Sequence, residues 1–248
     1  MLFPVGDDNR DRTTFPLINY FFIIVNIFVF VFLQDLGTNE IFTYSFSLVP
    51  EEIVSGKDIV TNGGAYADPL SGERISVPGL QPTPYSVYIT FFTSMFMHGG
   101  IAHLFGNMLF LFIFGDNVEH RLGHIRYFFF YIILGILADI SQIIVTYTIG
   151  GNPLVPTLGA SGAISGVLAA YLILYPRKRV RVVIFYFLTE VPAIVAIGLW
   201  FVFQVISGIG VLGTGSQEGG IAYGAHVGGF VAGLVLVGFF LIGRRKKI

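Results

Sequence analysis

Four polar residues stand inside or at the edge of long hydrophobic runs: His103, Asn107, Ser161 and His226. Polar and ionisable groups in a membrane are costly and rare, so each is a candidate for function. A serine hydroxyl becomes a nucleophile when a neighbouring base removes its proton, and imidazole is the usual base. Ser161 with His226 therefore suits acyl transfer. Such chemistry builds negative charge on a carbonyl oxygen, which preorganised donors stabilise by roughly 3 kcal/mol each in a dry site. His103 and Asn107, spaced i and i+4 on one helical face, can supply donors of this kind, together with the backbone N–H of Ser161.

Each residue also has a plainer role. Ser161 can be a small packing residue, His226 an interhelical hydrogen-bonding group, and His103 with Asn107 a structural pair. Their neighbours favour the chemical role. Ser161 lies in Gly159-Ala160-Ser161-Gly162 and opens a helix, where unpaired N–H groups form a positive end suited to an oxyanion. Gly162, Ser165, Gly166 and Ala169 continue a small-residue face, while Gly229 and Gly233 follow His226 at i+3 and i+7. Two such faces let helices approach closely, which would set His226 beside Ser161. No metal or other cofactor is expected: His98, His103 and His226 have no intramembrane carboxylate in an HExxH-type arrangement. His120 and His124 read as ordinary loop residues. Asp139 is either a third group orienting His226 or a hydrogen-bonded packing residue near Gln142. Glu190, beside Pro192, reads as interfacial.

The elements that must position these groups follow from composition. The chain has 248 residues, 54% hydrophobic and 12% charged, against about 25% charged in soluble domains. With a mean hydropathy of +0.77, lipid is its main solvent. A single all-α membrane domain over 1–248 is expected, with spans at about 16–35, 100–121, 125–149, 159–175, 187–209 and 221–242. The run from Leu17 to Leu33 is too long and bulky for a signal-peptide core and reads as a retained span. The fourth span is short, which is tolerable where protein rather than lipid surrounds it.

Charge gives an independent check on that count. Arg10, Arg12, Arg121, Arg126, Arg177, Lys178, Arg179, Arg181, Arg244, Arg245, Lys246 and Lys247 all fall on one side. Only Lys57 and Arg74 of the 14 basic residues fall on the other. Both termini are therefore expected in the cytoplasm. The outer loop of about 36–99 is acidic, with apolar, aromatic ends at Phe46–Ile53 and Tyr85–Met97 that should lie at the interface or against the bundle. Ser207–Gly220 is expected to be a mobile, glycine-rich loop. This topology brings the four polar residues to one depth, at the outer ends of spans two, four and six. A transporter or channel would instead want a polar path through the whole bilayer. A net charge of −1 speaks against a nucleic-acid partner, and the absence of Cys removes disulfide and thiol chemistry.

Three separated segments then resemble a known family: His98-Gly-Gly-Ile-Ala-His103-Leu-Phe-Gly-Asn107, Gly159-Ala-Ser161-Gly, and Ala225-His226-Val-Gly-Gly229-Phe-Val-Ala-Gly233. Their order and spacing are similar to those of the rhomboid proteases, over about 85–245. The resemblance implies a six-helix fold with Ser161 as nucleophile and His226 as general base and acid. Asn107, His103 and the Ser161 N–H would form the oxyanion hole. His98 matches a histidine holding the loop against the helices, Gly162, Gly229 and Gly233 lie in the matching motifs, and Glu119 with Gly123 matches a structural feature at the inner end of span two. Transmembrane protein substrates, lipid surroundings and a bacterial or archaeal plasma membrane are the implied context; substrate would enter past span five and the last loop. A non-catalytic relative that binds or delivers transmembrane clients is the alternative. Two positions depart from the family pattern. Ile89-Thr90 stands where many members have Trp-Arg, the only tryptophan being Trp200, and Ser165 stands where an aromatic often stacks on the base.

Overall fold

Lipid cannot hydrogen-bond a backbone, so apolar runs of this length must satisfy their polar groups internally. The computed structural model of the chain is accordingly mostly helical. It describes every residue except 1, 68–73, 78, 215–221 and 245–248; Asp68, Glu73, the end of the expected last loop, and Arg245, Lys246 and Lys247 lie outside the described residues.

Strand β1 (Leu2–Asp7) leads into helix α1 (Leu17–Phe28), prolonged by a π-helical turn over Val29–Leu33. Short helices α2 (Glu40–Ser45) and α3 (Pro50–Ser55), a hairpin of β2 (Gly64–Ala67) and β3 (Arg74–Val77), and α4 (Thr90–Thr93) follow. Helix α5 (Ile101–Phe110) passes through a π-helical turn (Leu111–Gly115) into α6 (Asp116–Leu122). The long α7 (His124–Thr148) and the central α8 (Ser161–Leu174) come next. Strands β4 (Arg179–Ile184) and β5 (Phe187–Pro192) then precede α9 (Ala193–Thr214) and α10 (Tyr223–Leu241). Among the described residues, Ile101–Leu122, His124–Thr148 and Tyr223–Leu241 are long and apolar enough to cross a membrane, and Leu17–Leu33, Val87–Phe96, Ser161–Leu174 and Ala193–Ile209 are shorter apolar helices.

The all-α expectation needs correction. β1, β4 and β5 form an antiparallel sheet in the order β1-β4-β5. Residues 187–192, expected to begin the fifth span, are β5, and the helix starts at Ala193. The alternation lies in β4, where Val180 and Val182 point into the core while Arg179 and Arg181 face outward, a period of two that no helix satisfies; β5 turns back across Phe185-Tyr186 and pairs with that strand. The expected loop also starts too early, because Ser207–Thr214 continues α9.

Helix α8 is the hub. Every residue from Gly162 to Tyr171 is buried, and the helix packs chiefly against α10 and α7. Its 14 residues span about 21 Å at 1.5 Å per residue, short of a bilayer core of about 30 Å. Neighbouring helices rather than lipid satisfy its surface.

Polar groups lock the end of the bundle where α1 starts and α6 meets α7. Glu119, almost wholly buried, accepts hydrogen bonds from Ile18 N (2.9 Å) and Asn19 N (2.7 Å), two of the N–H groups that the start of α1 leaves without helical partners. The His124 ring also contacts it at 2.5 Å, and His120 bonds Thr14 at 2.6 Å, so neither histidine is the ordinary loop residue that the sequence suggested. Asn19 donates to Leu111 O (2.9 Å) at the π-helical turn, where helical pairing shifts, and accepts from Tyr127 Oη (2.7 Å). Glu119→Ala strands two N–H groups, each bonded to a charged acceptor. It is expected to destabilise the fold by about 3 kcal/mol, read as a lower melting temperature in detergent micelles.

Candidate active site

The site is assembled from the N-terminal parts of α5, α8 and α10, the middle of α9 and the segment preceding α8. That segment is tied down by backbone bonds. Leu48 and Thr157 exchange hydrogen bonds of 2.9 and 2.7 Å, and Glu51 N donates to Pro153 O at 3.0 Å. Gln34 grips His98 through its backbone, receiving His98 N–H and donating to His98 O, both at 2.9 Å. These contacts anchor the long loop, in which Thr90 is buried with its hydroxyl on Val87 O at 2.6 Å.

Gly159 then turns the chain into α8 with φ +121°, a conformation that side-chain-bearing residues rarely adopt. Its N–H donates to Ser94 O at 2.8 Å. A β-carbon there would lie 2.9 Å from His103 Cε1 and Nε2 and 3.7 Å from Ser161 Oγ. Glycine is what lets the His103 ring lie against this turn.

Ser161 is the first residue of α8, and its Oγ lies 2.7 Å from His226 Nε2. The close approach comes from the glycine faces. A β-carbon on Gly229 would collide with Gly162 O, and one on Gly233 with Gly166 O, so α8 and α10 meet backbone to backbone. On its other side, His226 Nδ1 lies 2.7 Å from Gln204 Oε1 on α9. An amide oxygen accepts from Nδ1–H, which leaves the Nε2 lone pair facing the serine hydroxyl. The Trp200 and Tyr223 rings stand 6.2 and 6.3 Å from the imidazole, centroid to centroid. Ser165, one helical turn after Ser161, donates to Ser161 O at 2.7 Å.

His103 and Asn107 share α5. His103 Nδ1 accepts the Gly99 N–H at 3.4 Å, which puts the ring proton on Nε2, the nitrogen beside Gly159. Asn107 is buried, and its Nδ2 has no hydrogen-bond partner among the described residues. His98 is fully buried with its ring 5.1 Å from that of His103. Asp139 does not reach His226, whose Nδ1 is held by Gln204. Asp139 accepts from Ser94 Oγ at 3.2 Å, while Gln142 caps Ala225 N at 3.1 Å.

Gln204 was missed in the sequence. A glutamine inside an apolar span was itself a signal, but nothing in its spacing pointed to His226. Gln204→Ala is expected to slow the reaction of Ser161 with a fluorophosphonate probe about tenfold, the value of one oriented hydrogen bond of about 1.4 kcal/mol. The labelling rate would read it; an unchanged rate would remove Gln204 from the site. Beyond Gln204 and Tyr223 lies a cavity of about 290 Å³ between α7, the 150–157 segment, α9 and α10, with Ser141, Gln142, Thr146 and Asn152 in its walls.

Apolar helices of spanning length, packed through glycine faces around buried polar groups, define an integral membrane protein. The Rhomboid domain family matches residues 85–243, and the chain belongs to the Rhomboid family. It is 31% identical over 157 residues to Rhomboid protein 1, mitochondrial, of Saccharomyces cerevisiae, covering 62% of this chain and 42% of that protein. It is 33% identical over 156 residues to RHOMBOID-like protein 4 of Arabidopsis thaliana, covering 60% and 32%. With Rhomboid protease GluP of Bacillus subtilis it shares 33% identity over 143 residues, covering 57% and 24%. The chain spans less than half the length of each of these relatives.

Proposed function

We propose that the chain is an intramembrane serine endopeptidase that cleaves transmembrane segments of other proteins near the outer membrane face. The observation that carries this reading is the 2.7 Å contact between Ser161 Oγ and His226 Nε2, with Gln204 on the opposite ring nitrogen. His226 takes the Ser161 proton as Oγ attacks the scissile carbonyl carbon. The tetrahedral oxyanion is met by the Ser161 N–H, Asn107 Nδ2 and His103 Nε2. As the intermediate collapses, His226 returns the proton to the leaving amine nitrogen and an acyl-enzyme remains. Water, deprotonated by the same imidazole, then releases the acid and restores Ser161.

The reading includes one domain over 1–248, six spans with both termini in the cytoplasm, and a long outer loop lying partly in the membrane. Its support is the one-sided distribution of basic residues, together with three helices of spanning length and three of the four shorter apolar helices among the described residues, Leu17–Leu33, Ser161–Leu174 and Ala193–Ile209. The setting is a prokaryotic plasma membrane, with no cofactor required. Family relatives named as mitochondrial extend the same family to that organelle.

A fluorophosphonate probe tests the chemistry directly. The wild-type chain in micelles is expected to be labelled, and Ser161→Ala to be unlabelled. Equal labelling of both would place the reactive serine elsewhere, and no labelling of the wild type would favour a client-binding relative without catalysis.

A further inference from the structure

The β4–β5 hairpin takes no part in the site. Its two-residue turn, Phe185-Tyr186, is closed by the pair Ile184↔Phe187. Phe185, Tyr186, Phe187 and Leu188 are 78%, 97%, 77% and 66% exposed. Phe185 sits at φ +55°, where a β-carbon is unfavourable and Gly or Asn would turn the chain with less strain. Two aromatics serve this turn poorly, so their presence answers to what surrounds them.

The other end of the hairpin has opposite character. Arg179 and Arg181 face outward from β4 and Arg177 is exposed just before it; Arg181 also donates to Asp7 O at 3.5 Å and has Glu190 opposite it on β5, so the base stays net cationic with three arginines to one carboxylate. An apolar tip on a cationic base matches the gradient from acyl chains to phosphates at a membrane surface. The sheet order leaves one edge of β5 open. Its backbone groups cannot be satisfied by acyl chains, which holds the strands at headgroup level and lets only the tip go deeper.

We propose that this hairpin is a lipid-binding element, with Phe185–Leu188 seated among acyl chains and Arg177, Arg179 and Arg181 on anionic phospholipid headgroups. It rests on the chain spanning a bilayer and not on the chemistry of Ser161. Because β5 runs from Pro192 directly into Ala193 of α9, lipid held here also bears on the helix that carries Gln204.

The chain has no cysteine, so Tyr186→Cys creates a unique labelling site at a position free of packing. The full chain, labelled there with nitrobenzoxadiazole, is reconstituted in phosphatidylcholine vesicles with or without phosphatidylglycerol. Arg10→Cys, whose native side chain is 88% exposed, is the aqueous control. Emission from position 186 is expected to shift to the blue and to be quenched strongly by lipids bearing a nitroxide high on the acyl chain, unlike the control. Phosphatidylglycerol is expected to strengthen the quenching, and the combined Arg179→Gln and Arg181→Gln variant to lose that gain. Aqueous, unquenched emission overturns the proposal, as does a blue shift without lipid quenching, which would mean a protein contact. Quenching indifferent to phosphatidylglycerol overturns the headgroup assignment. Fluorophosphonate labelling of the same samples reports separately on the serine site.

Discussion

Ser161→Ala is expected to reduce cleavage of a single-span substrate below detection while the protein melts within a few degrees of the wild type. In soluble serine proteases, loss of the nucleophile or its base costs on the order of 10⁶-fold in kcat. The same scale applies here, because an alanine offers no atom to form the acyl bond. His226→Ala should be comparably inactive, since without the imbedded nitrogen 2.7 Å from Oγ nothing removes the hydroxyl proton. The two substitutions together should be no worse than either alone, because the residues act as one unit. Mass spectrometry of products from a panel of single-span substrates, with the protein in proteoliposomes, is the measurement. Cleavage by Ser161→Ala at the wild-type rate ends the assignment.

The second large effect acts through packing. Gly229→Val is expected to destabilise the protein by more than about 3 kcal/mol, beyond the usual range for overpacking, and to abolish fluorophosphonate labelling of Ser161. The obstacle is the Gly162 carbonyl oxygen, with Ala138 Cβ 3.3 Å away on another side. A flexible side chain could move aside, but helix backbone cannot. Separating α8 from α10 also carries His226 away from Ser161, so stability and activity fall together. Gly238→Val on the same helix is the control, because a β-carbon at Gly238 meets nothing within 4 Å. If Gly229→Val melts and labels like Gly238→Val, close approach of the two helices is not what joins the pair.

Much of this was legible along the chain. The small-residue faces on Gly162, Gly166, Gly229 and Gly233 were visible as helical spacing, and the structure packs those glycines against one another. The shortness of α8 was also visible, and its burial on all sides answers how so short a helix persists. What escaped was cross-chain pairing. β1 lies more than 170 residues from β4, the strand it joins, and the start of the expected fifth span became the third strand of that sheet by pairing with β4. Glu119 reaches the start of α1 across about 100 residues, an arrangement to which neither segment's local pattern points.

The order of residues alone determined the solvent and the helical faces that carry Ser161, His226, His103 and Asn107, because hydropathy and periodicity are local properties summed over neighbouring positions. Only the folded chain decided which groups meet: that Gln204 rather than Asp139 holds His226 Nδ1, and that Asp139 turns to Ser94. The physical reason is that a hydrogen bond depends on the rotation of each helix about its own axis to within a fraction of a turn. That rotation is set by how every helix packs against all the others.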